Sequence, residues 1–341
     1  MKTYRVAVLP GDGIGPEVVN ATVEVLRTVE AKTGTYKLDL VWGEAGLNAI
    51  AKYGTNVPPP TIDMLKTTIA CLKGPMTTPE EPGAPPSAAV TIRRLFNLYA
   101  NVRPCYSLPN MPSLKPNIDL VVIRENTEGM YSGIEFDIGD DTAVAIRVIS
   151  RKASERIARF AFKLAAERHK HLSYVHKANI LRRTDGIFNQ AVLDVAKEFP
   201  EVTTDGYHID AMAMQLIKQP EAFDVIVTTN LFGDIISDEA AQLVGGLGVA
   251  AGANIGDNYA MFEPVHGSAP KYTGQNRVNP IATVFASKML LDHLGEKESA
   301  ETVEKAVFAV LSDGTALTYD LGGVAKTSEM AEAIVAKIKE H

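Results

Sequence analysis

Residues 4–18 read YRVAVLPGDGIGPEV. An apolar run enters a glycine-rich turn, and Pro16 stands where the first turn of a helix accepts proline. Strand, glycine turn and helix in that order open an α/β fold. They also raise the question of a dinucleotide cradle, which needs G-x-G-x-x-G between the strand and the helix. Here Gly11, Gly13 and Gly15 give G-x-G-x-G, and Asp12 would set a like charge against a pyrophosphate. On these residues alone a tight connection is favoured over a phosphate site.

The same alternation continues along the chain. YRVAVLP, KLDLVW, TIACLKG, DLVVIREN, HLSYVHKAN and DVIVTTN read as strands. EVVNATVEVLRTVEAKTG, ASERIARFAFKLAAERHK and DGIFNQAVLDVAKEFP carry helical spacing. The pattern predicts an α/β fold with a largely parallel sheet. Residues 76–90, MTTPEEPGAPPSAAV, read as a loop, and 134–150, IEFDIGDDTAVAIRVIS, read as a hairpin suited to pairing with another subunit.

The chain has 341 residues, 46% of them apolar, and a net charge of −7. That length suits two domains or one large α/β unit. The acidic balance argues against nucleic acid or an anionic membrane as the main partner. Cys71 and Cys105 sit in or beside apolar runs and read as buried thiols in a reducing compartment. MKTYRVAVLPGDG shows no long apolar leader segment, and a cytoplasmic location is expected.

Four constellations carry chemistry. In GDIISDEA, Asp234 and Asp238 are four apart, which on a helix puts both carboxylates on one face. They suit a divalent oxygen-liganded ion such as Mg²⁺ or Mn²⁺, or else a helix start capped by Asp234. Arg93, Arg103 and Arg124 are forks for carboxylates, with Arg103 and Arg124 read at the ends of apolar segments. Lys177 follows an apolar strand and suits a base or a solvated lysine. FEPVHGSAPKYTGQNRVNP (262–280) has the residues of a binding loop, with His266, Lys271, Tyr272 and Asn279 able to meet an adenine and a phosphate.

GDGIGPE, LYANVRP, RENTEG-x-YSG, VHKAN, NLFGDIISDEA, GANIGD and FEPVHGSAP follow one another from about residue 4 to residue 323. In kind and order they closely resemble the isocitrate/isopropylmalate dehydrogenase family of β-decarboxylating dehydrogenases. The resemblance implies a two-domain fold that is not Rossmann, in which the later loop, not GDGIGPE, holds NAD or NADP. It implies a large domain of 1–101 and 253–341, a small domain of 102–252, an intersubunit clasp near 134–150, and a homodimer with shared active sites. It further implies Asp234 and Asp238 with Asp210 of the other subunit as metal ligands, and Ser87, Arg93, Arg103 and Arg124 as substrate contacts. Lys177, from the partner, would assist hydroxyl deprotonation, and Tyr131 would protonate the enolate carbon. The cofactor positions carried over are Thr78, Glu263, His266, Gly267, Ser268, Ala269, Lys271, Tyr272, Asn279 and Tyr319.

Within that resemblance, PPSAAVTIRR (85–94) decides the side arm of the substrate. Ser87 fits isocitrate, Ala89 replaces the asparagine of isocitrate enzymes, and the leucines of isopropylmalate enzymes are missing. Isocitrate is favoured, with homoisocitrate and 3-isopropylmalate as alternatives. Lys271, Tyr272 and Tyr319 favour NADP, although Gly323 stands where NADP enzymes carry an arginine, so NAD stays open. A metal-dependent lyase without redox chemistry would not need the 263–279 loop. A non-catalytic regulatory subunit would be expected to lose residues such as Tyr131 and Lys177, which are present.

Overall fold

The computed structural model describes residues 1–79, 81, 84–111 and 113–340. Its strands are β1 (Lys2–Leu9), β2 (Tyr36–Trp42), β3 (Ala70–Lys73), β4 (Ala100–Tyr106), β5 (Asp119–Glu125) and β6 (Gly129–Ile138). They continue with β7 (Thr142–Val148), β8 (His171–His176), β9 (Thr203–His208), β10 (Val225–Thr228), β11 (Ala251–Ile255) and β12 (Ala260–Pro264). The helices are α1 (Gly15–Thr33), α2 (Leu47–Tyr53), α3 (Pro59–Lys66), α4 (Ala88–Leu95), α5 (Arg151–Glu167) and α6 (Thr184–Ala196). They end with α7 (Ile209–Lys218), α8 (Asn230–Leu243), α9 (Ile281–His293), α10 (Lys297–Asp313) and α11 (Thr327–Glu340).

One ten-stranded sheet runs β2-β1-β3-β12-β11-β4-β5-β10-β8-β9 among the described residues. It is parallel except at its middle, where β11 runs antiparallel to both β12 and β4, and β4 antiparallel to β5. The expected α/β class and largely parallel sheet are therefore present.

Helices cover both faces, which explains the unbroken apolar runs. On β5, Val121 and Ile123 face the core under α5 and α6, beside Phe162 and Phe188. Leu120 and Val122 face the opposite core with Met212, Leu216 and Ile236 of α7 and α8. A strand buried on both faces shows no alternation of polar and apolar residues. The largest core packs β1, β3, β11 and β12 against α1, α9, α10 and α11, through residues such as Leu26, Phe262, Phe285 and Ile334.

Several local readings are corrected by the structure. Residues 88–90 are not loop but the first turn of α4, where Ala88 and Ile92 bury one stripe; residues 80, 82 and 83 lie outside the described residues. Arg103 is in the middle of β4, not at a strand end. The Arg-Pro pair hides this strand from an apolar-run reading. Pro104 is tolerated because β11 pairs only with residues 100–102 of β4. Asp234 does not cap α8, whose N-cap position is Thr229. The hairpin starts five residues earlier than read, at Gly129, and forms a separate two-stranded sheet, β6 with β7. Both cysteines are free and buried, as expected. Among the described residues no helix is long and apolar enough to cross a membrane.

Candidate active site

The edge of the site is built where β4, β5 and α8 meet. β5 ends by delivering Arg124, 2% exposed, beneath α8. Its Nε and Nη2 donate to Asn230 Oδ1 at 3.0 and 2.8 Å, and its Nη1 donates to Asp234 Oδ1. Arg103 reaches the same helix from β4. Its Nη1 donates to Asp238 Oδ1 and Ser237 Oγ, both at 2.7 Å, and its Nη2 lies 3.5 Å from Asp234 Oδ1. The Tyr131 hydroxyl, from β6, donates to Asp234 Oδ2, and its ring lies 4.9 Å from the Arg124 guanidinium. Helical spacing thus brings Asp234 and Asp238 to one face, as the four-residue interval requires.

The electrostatics follow from burial. Burial lowers Arg124 to about 10, against Asp234, so it keeps its charge at neutral pH. Burial raises Tyr131, and its bond to Asp234 raises it further, so the phenol remains a proton donor. Burial also raises the Asp238 carboxyl, with Arg103 opposing and Asp234 reinforcing. Two guanidinia against two carboxylates sum to zero. An incoming polycarboxylate would upset that balance, and a divalent cation would restore it. Oxygen-only donors on one helix face suit such a cation.

A second charged cluster stands across the middle strands. Glu263 of β12 is buried and pairs with Lys73 of β3 at 2.7 Å and with Arg93 of α4 at 2.8 Å. Burial alone would raise its carboxyl; Lys73 and Arg93 overrule this and hold it well below the usual carboxylate range. Asn254 of β11 donates to Glu263 Oε1 at 2.7 Å and accepts from Asn101 of β4 at 2.9 Å. Asn101 in turn accepts from Arg103 Nε at 2.9 Å. A continuous polar relay therefore joins Arg93 to Arg103. Arg93 Nε is buried and without a partner among the described residues. A cleft of about 160 Å³ opens here, lined by Ser87, Ala89, Arg93, Arg103, Lys73 and His266 among others. Lys73 is absent from the sequence reading. Its signal is the one used for Lys177, a lysine closing an apolar strand.

A neighbouring cleft of about 410 Å³ shares His266 and Gly267 with the first, and adds Ile14, Tyr272, Asn279 and Tyr319 among its walls. His266 Nδ1 lies 3.0 Å from Gly267 O, while Nε2 is buried with no partner among the described residues. Burial lowers the ring, leaving it neutral at neutral pH. Asn279 donates to Asp320 at 3.0 Å, and the Tyr272 and Tyr319 rings stand 5.7 Å apart. Lys271 Nζ lies 4.8 Å from the Tyr272 ring centroid. Ala269 takes a left-handed conformation at the bend, and Ser268 is buried against the opening turn. Thr78 stays exposed; its neighbour Thr77 makes the contacts, pairing with Ser268 Oγ at 2.6 Å.

These contacts answer the question posed by GDGIGPE. Asp12 accepts from the backbone N–H groups of Leu47, Asn48 and Thr77 at 2.9, 3.2 and 2.9 Å. The turn is tied to the protein itself. Gly13, at φ +58°, is pressed so close to the Ser268 carbonyl that an added Cβ would stand 2.1 Å from its oxygen. Ile14 N donates to that carbonyl at 2.9 Å, and the Ile14 side chain lines the larger cleft. The turn walls a cleft, and its N–H groups at 12, 14 and 15 are already bonded to backbone carbonyls.

Lys177 and Asp210 form an ion pair with each other, on the loop after β8 and the first turn of α7. The pairing with Lys177 lowers the Asp210 carboxyl. No hydrogen bond or ion pair joins them to Asp234, Asp238 or Tyr131 among the described residues. Within those residues no three His, Cys, Asp or Glu groups gather closely enough to hold a metal. Among the described residues one chain therefore joins Asp234, Asp238, Tyr131, Arg103 and Arg124, and pairs Lys177 with Asp210 separately.

A family model described as isocitrate/isopropylmalate dehydrogenase matches residues 5–334. The chain is 45% identical to the 3-isopropylmalate dehydrogenase of Methanothermobacter thermautotrophicus, over 100% of both chains. It is 48% identical to the isocitrate/homoisocitrate dehydrogenase of Thermus thermophilus, over 98% of this chain and 99% of that one. The crystal structure of isocitrate dehydrogenase from Methylococcus capsulatus superposes with a TM-score of 0.93 at 45% identity, over 98% of this chain and 99% of that one.

Proposed function

This chain belongs to the isocitrate/isopropylmalate dehydrogenase family, whose members are NAD(P)-dependent, divalent-metal-dependent decarboxylating dehydrogenases, and from that premise we propose that it oxidises isocitrate to 2-oxoglutarate with NADP. Relatives of nearly equal identity bear different substrates in their names, so overall similarity does not choose among them. The single observation that carries the choice is the side-arm cleft. Along it Lys73, Arg93 and Arg103 outnumber the single carboxylate Glu263, Ser87 adds a half-buried hydroxyl, and the Nε of Arg93 is buried with no partner among the described residues. A carboxylate arm satisfies the Nε of Arg93; an isopropyl arm would leave it buried without a partner among the described residues, which is costly. Ala89 leaves room beside Ser87, and this favours homoisocitrate as the second reading.

In this reading Arg93, Arg103 and Arg124 hold the substrate carboxylates through bidentate forks. Asp234 and Asp238, with Asp210 of a second copy, would hold Mg²⁺ or Mn²⁺, which would supply Lewis-acid polarisation of the substrate oxygen. NADP, when bound, would supply the hydride acceptor for the carbinol carbon, and Lys177 of a second copy takes up the hydroxyl proton. The β-keto acid loses CO₂, and Tyr131, kept neutral by burial, protonates the enolate carbon. The larger cleft would receive the nucleotide, with His266, Gly267, Ala269, Tyr272, Asn279 and Tyr319 in its walls. Glu263 stands at the smaller cleft, paired with Lys73 and Arg93.

A homodimer is supported by the separation of Lys177 and Asp210 from Asp234 and Asp238 in one chain, and by the hairpin, where Ile134, Phe136 and Ile138 are 44%, 49% and 55% exposed. We assign 1–101 and 253–341 to the large domain and 102–252 to the small one, and the enzyme to the cytoplasm. The test is a matrix of initial rates at 340 nm with Mg²⁺ or Mn²⁺, crossing isocitrate, homoisocitrate and 3-isopropylmalate with NADP⁺ and NAD⁺. Dominance of isocitrate with NADP⁺ in kcat/KM supports the reading. Dominance of 3-isopropylmalate with NAD⁺ overturns both choices and leaves the family intact. Silence of the purified chain with every pair would mark a regulatory subunit.

A further inference from the structure

Gly323 stands where the sequence would be expected to supply an arginine to an NADP site, and the structure gives a physical reason for its absence. A Cβ at 323 would stand 2.0 Å from the Leu317 carbonyl oxygen and 2.6 Å from its carbon. No side chain fits there without moving the backbone. A guanidinium is nevertheless present at the same rim. Arg277, on the loop leading into α9, places its Cζ 4.5 Å from the Tyr319 ring centroid and 6.0 Å from that of Tyr272.

We propose that Arg277 is the residue that reads the 2′-phosphate of NADP in this protein, taking the place of the arginine that Gly323 excludes. This rests on the nucleotide reading of the larger cleft. Arg277 is exposed and makes no hydrogen bond or ion pair among the described residues, so its fork of N–H donors is free. Contact with the face of Tyr319 holds the guanidinium at the rim without using its N–H edge. Lys271, on the other tyrosine, brings a second cation that has no salt bridge among the described residues. Asp320, the nearest cleft carboxylate, already accepts from Asn279 at 3.0 Å and from Thr318 at 2.6 Å. Two free cations flanking two tyrosines at the mouth of an adenine-sized cleft suit a phosphomonoester dianion. A guanidinium takes two of its oxygens at once.

The test measures dissociation constants of adenosine 2′,5′-bisphosphate and of 5′-AMP for the wild type, Arg277→Ala and Arg277→Lys, together with kcat/KM for NADP⁺ and NAD⁺. The wild type is expected to bind the bisphosphate more tightly than 5′-AMP. Arg277→Ala is expected to cut that preference, and the NADP⁺/NAD⁺ ratio, by about tenfold or more, the usual worth of a charge-assisted hydrogen bond. Arg277→Lys is expected to restore part of it, and added salt to shrink the wild-type preference. A wild type without preference for the 2′-phosphate overturns the nucleotide reading and this inference together. A wild type with the preference, retained in full by Arg277→Ala, overturns this inference alone.

Discussion

Gly233 rests directly on the side chain of Arg124: a Cβ added to the glycine would stand 2.6 Å from both Cβ and Cγ of the arginine. The first turn of α8 can cover a buried guanidinium only because that position is bare. Gly233→Ala is therefore expected to push Arg124 off Asn230 and Asp234. Overpacking of this kind costs about 1–3 kcal/mol. The denaturant midpoint should fall with an unchanged slope, and kcat/KM should fall more than the stability loss explains. Wild-type activity in the alanine variant would mean that α8 shifts freely.

Glu263 sets an acid limb on the stability curve. Its carboxyl is held below the ordinary range by Lys73 and Arg93 against the effect of burial. A depressed folded-state pKa means the folded protein binds fewer protons here than the unfolded chain. The stabilisation is thus complete above the unfolded value of about 4.3, and is lost as pH falls from there through the lower folded value. Glu263→Gln should flatten that limb. At neutral pH it should cost about 3–5 kcal/mol, because two cations stay buried without a counter-charge. Thermal midpoints from pH 3 to 7 decide the matter; parallel curves for the two proteins would contradict it.

Tyr131→Phe removes one hydroxyl and little volume. If the phenol delivers the proton, kcat should drop by about a hundredfold to ten-thousandfold, the range of general-acid catalysis. Substrate KM should change far less. Because burial and Asp234 raise the phenol, wild-type turnover should show no loss from its ionisation near neutral pH. Full turnover in the phenylalanine variant would remove Tyr131 from the chemistry.

Lys177 and Asp234 offer a test of shared sites. Lys177→Met and Asp234→Asn should each be nearly inactive alone. Co-expressed in equal amounts, they should form heterodimers carrying one fully native site and one doubly altered site. Random pairing of a two-fold dimer then returns about a quarter of wild-type activity. No recovery in heterodimers isolated by two affinity tags would mean that each chain completes its own site.

Much of the scaffold was legible because it obeys simple periods. The stripes of α1, α5 and α6 and the doubly buried runs of β5 and β10 announce themselves. The short antiparallel strands did not: β11 and β12 are five residues each, AGANI and AMFEP, too short and too mixed for a pattern to read. Arg103 was visible as an arginine but misplaced, since a charged residue beside proline does not look like mid-strand. The pairing of Asp234 with Asp238 followed from helical spacing. Lys73, Asn254 and Arg277 escaped because each matters only through a neighbour distant in sequence: Glu263 for the first two, Tyr319 for the third.

From Arg93 on α4 the relay enters the sheet at Glu263 and crosses three adjacent strands, through Asn254 and Asn101, to Arg103. Neighbouring strands lie about 4.8 Å apart, and their spacing hardly varies. The stretch from Glu263 to Arg103 is accordingly a fixed gauge set by backbone ladders, and Arg93 of α4 is held to it through its ion pair with Glu263. A substrate longer by one methylene cannot be met by spreading the arginines. The difference has to be absorbed at Ser87 and Ala89, where α4 begins, so a change in the length of acid accepted is a matter for those two positions.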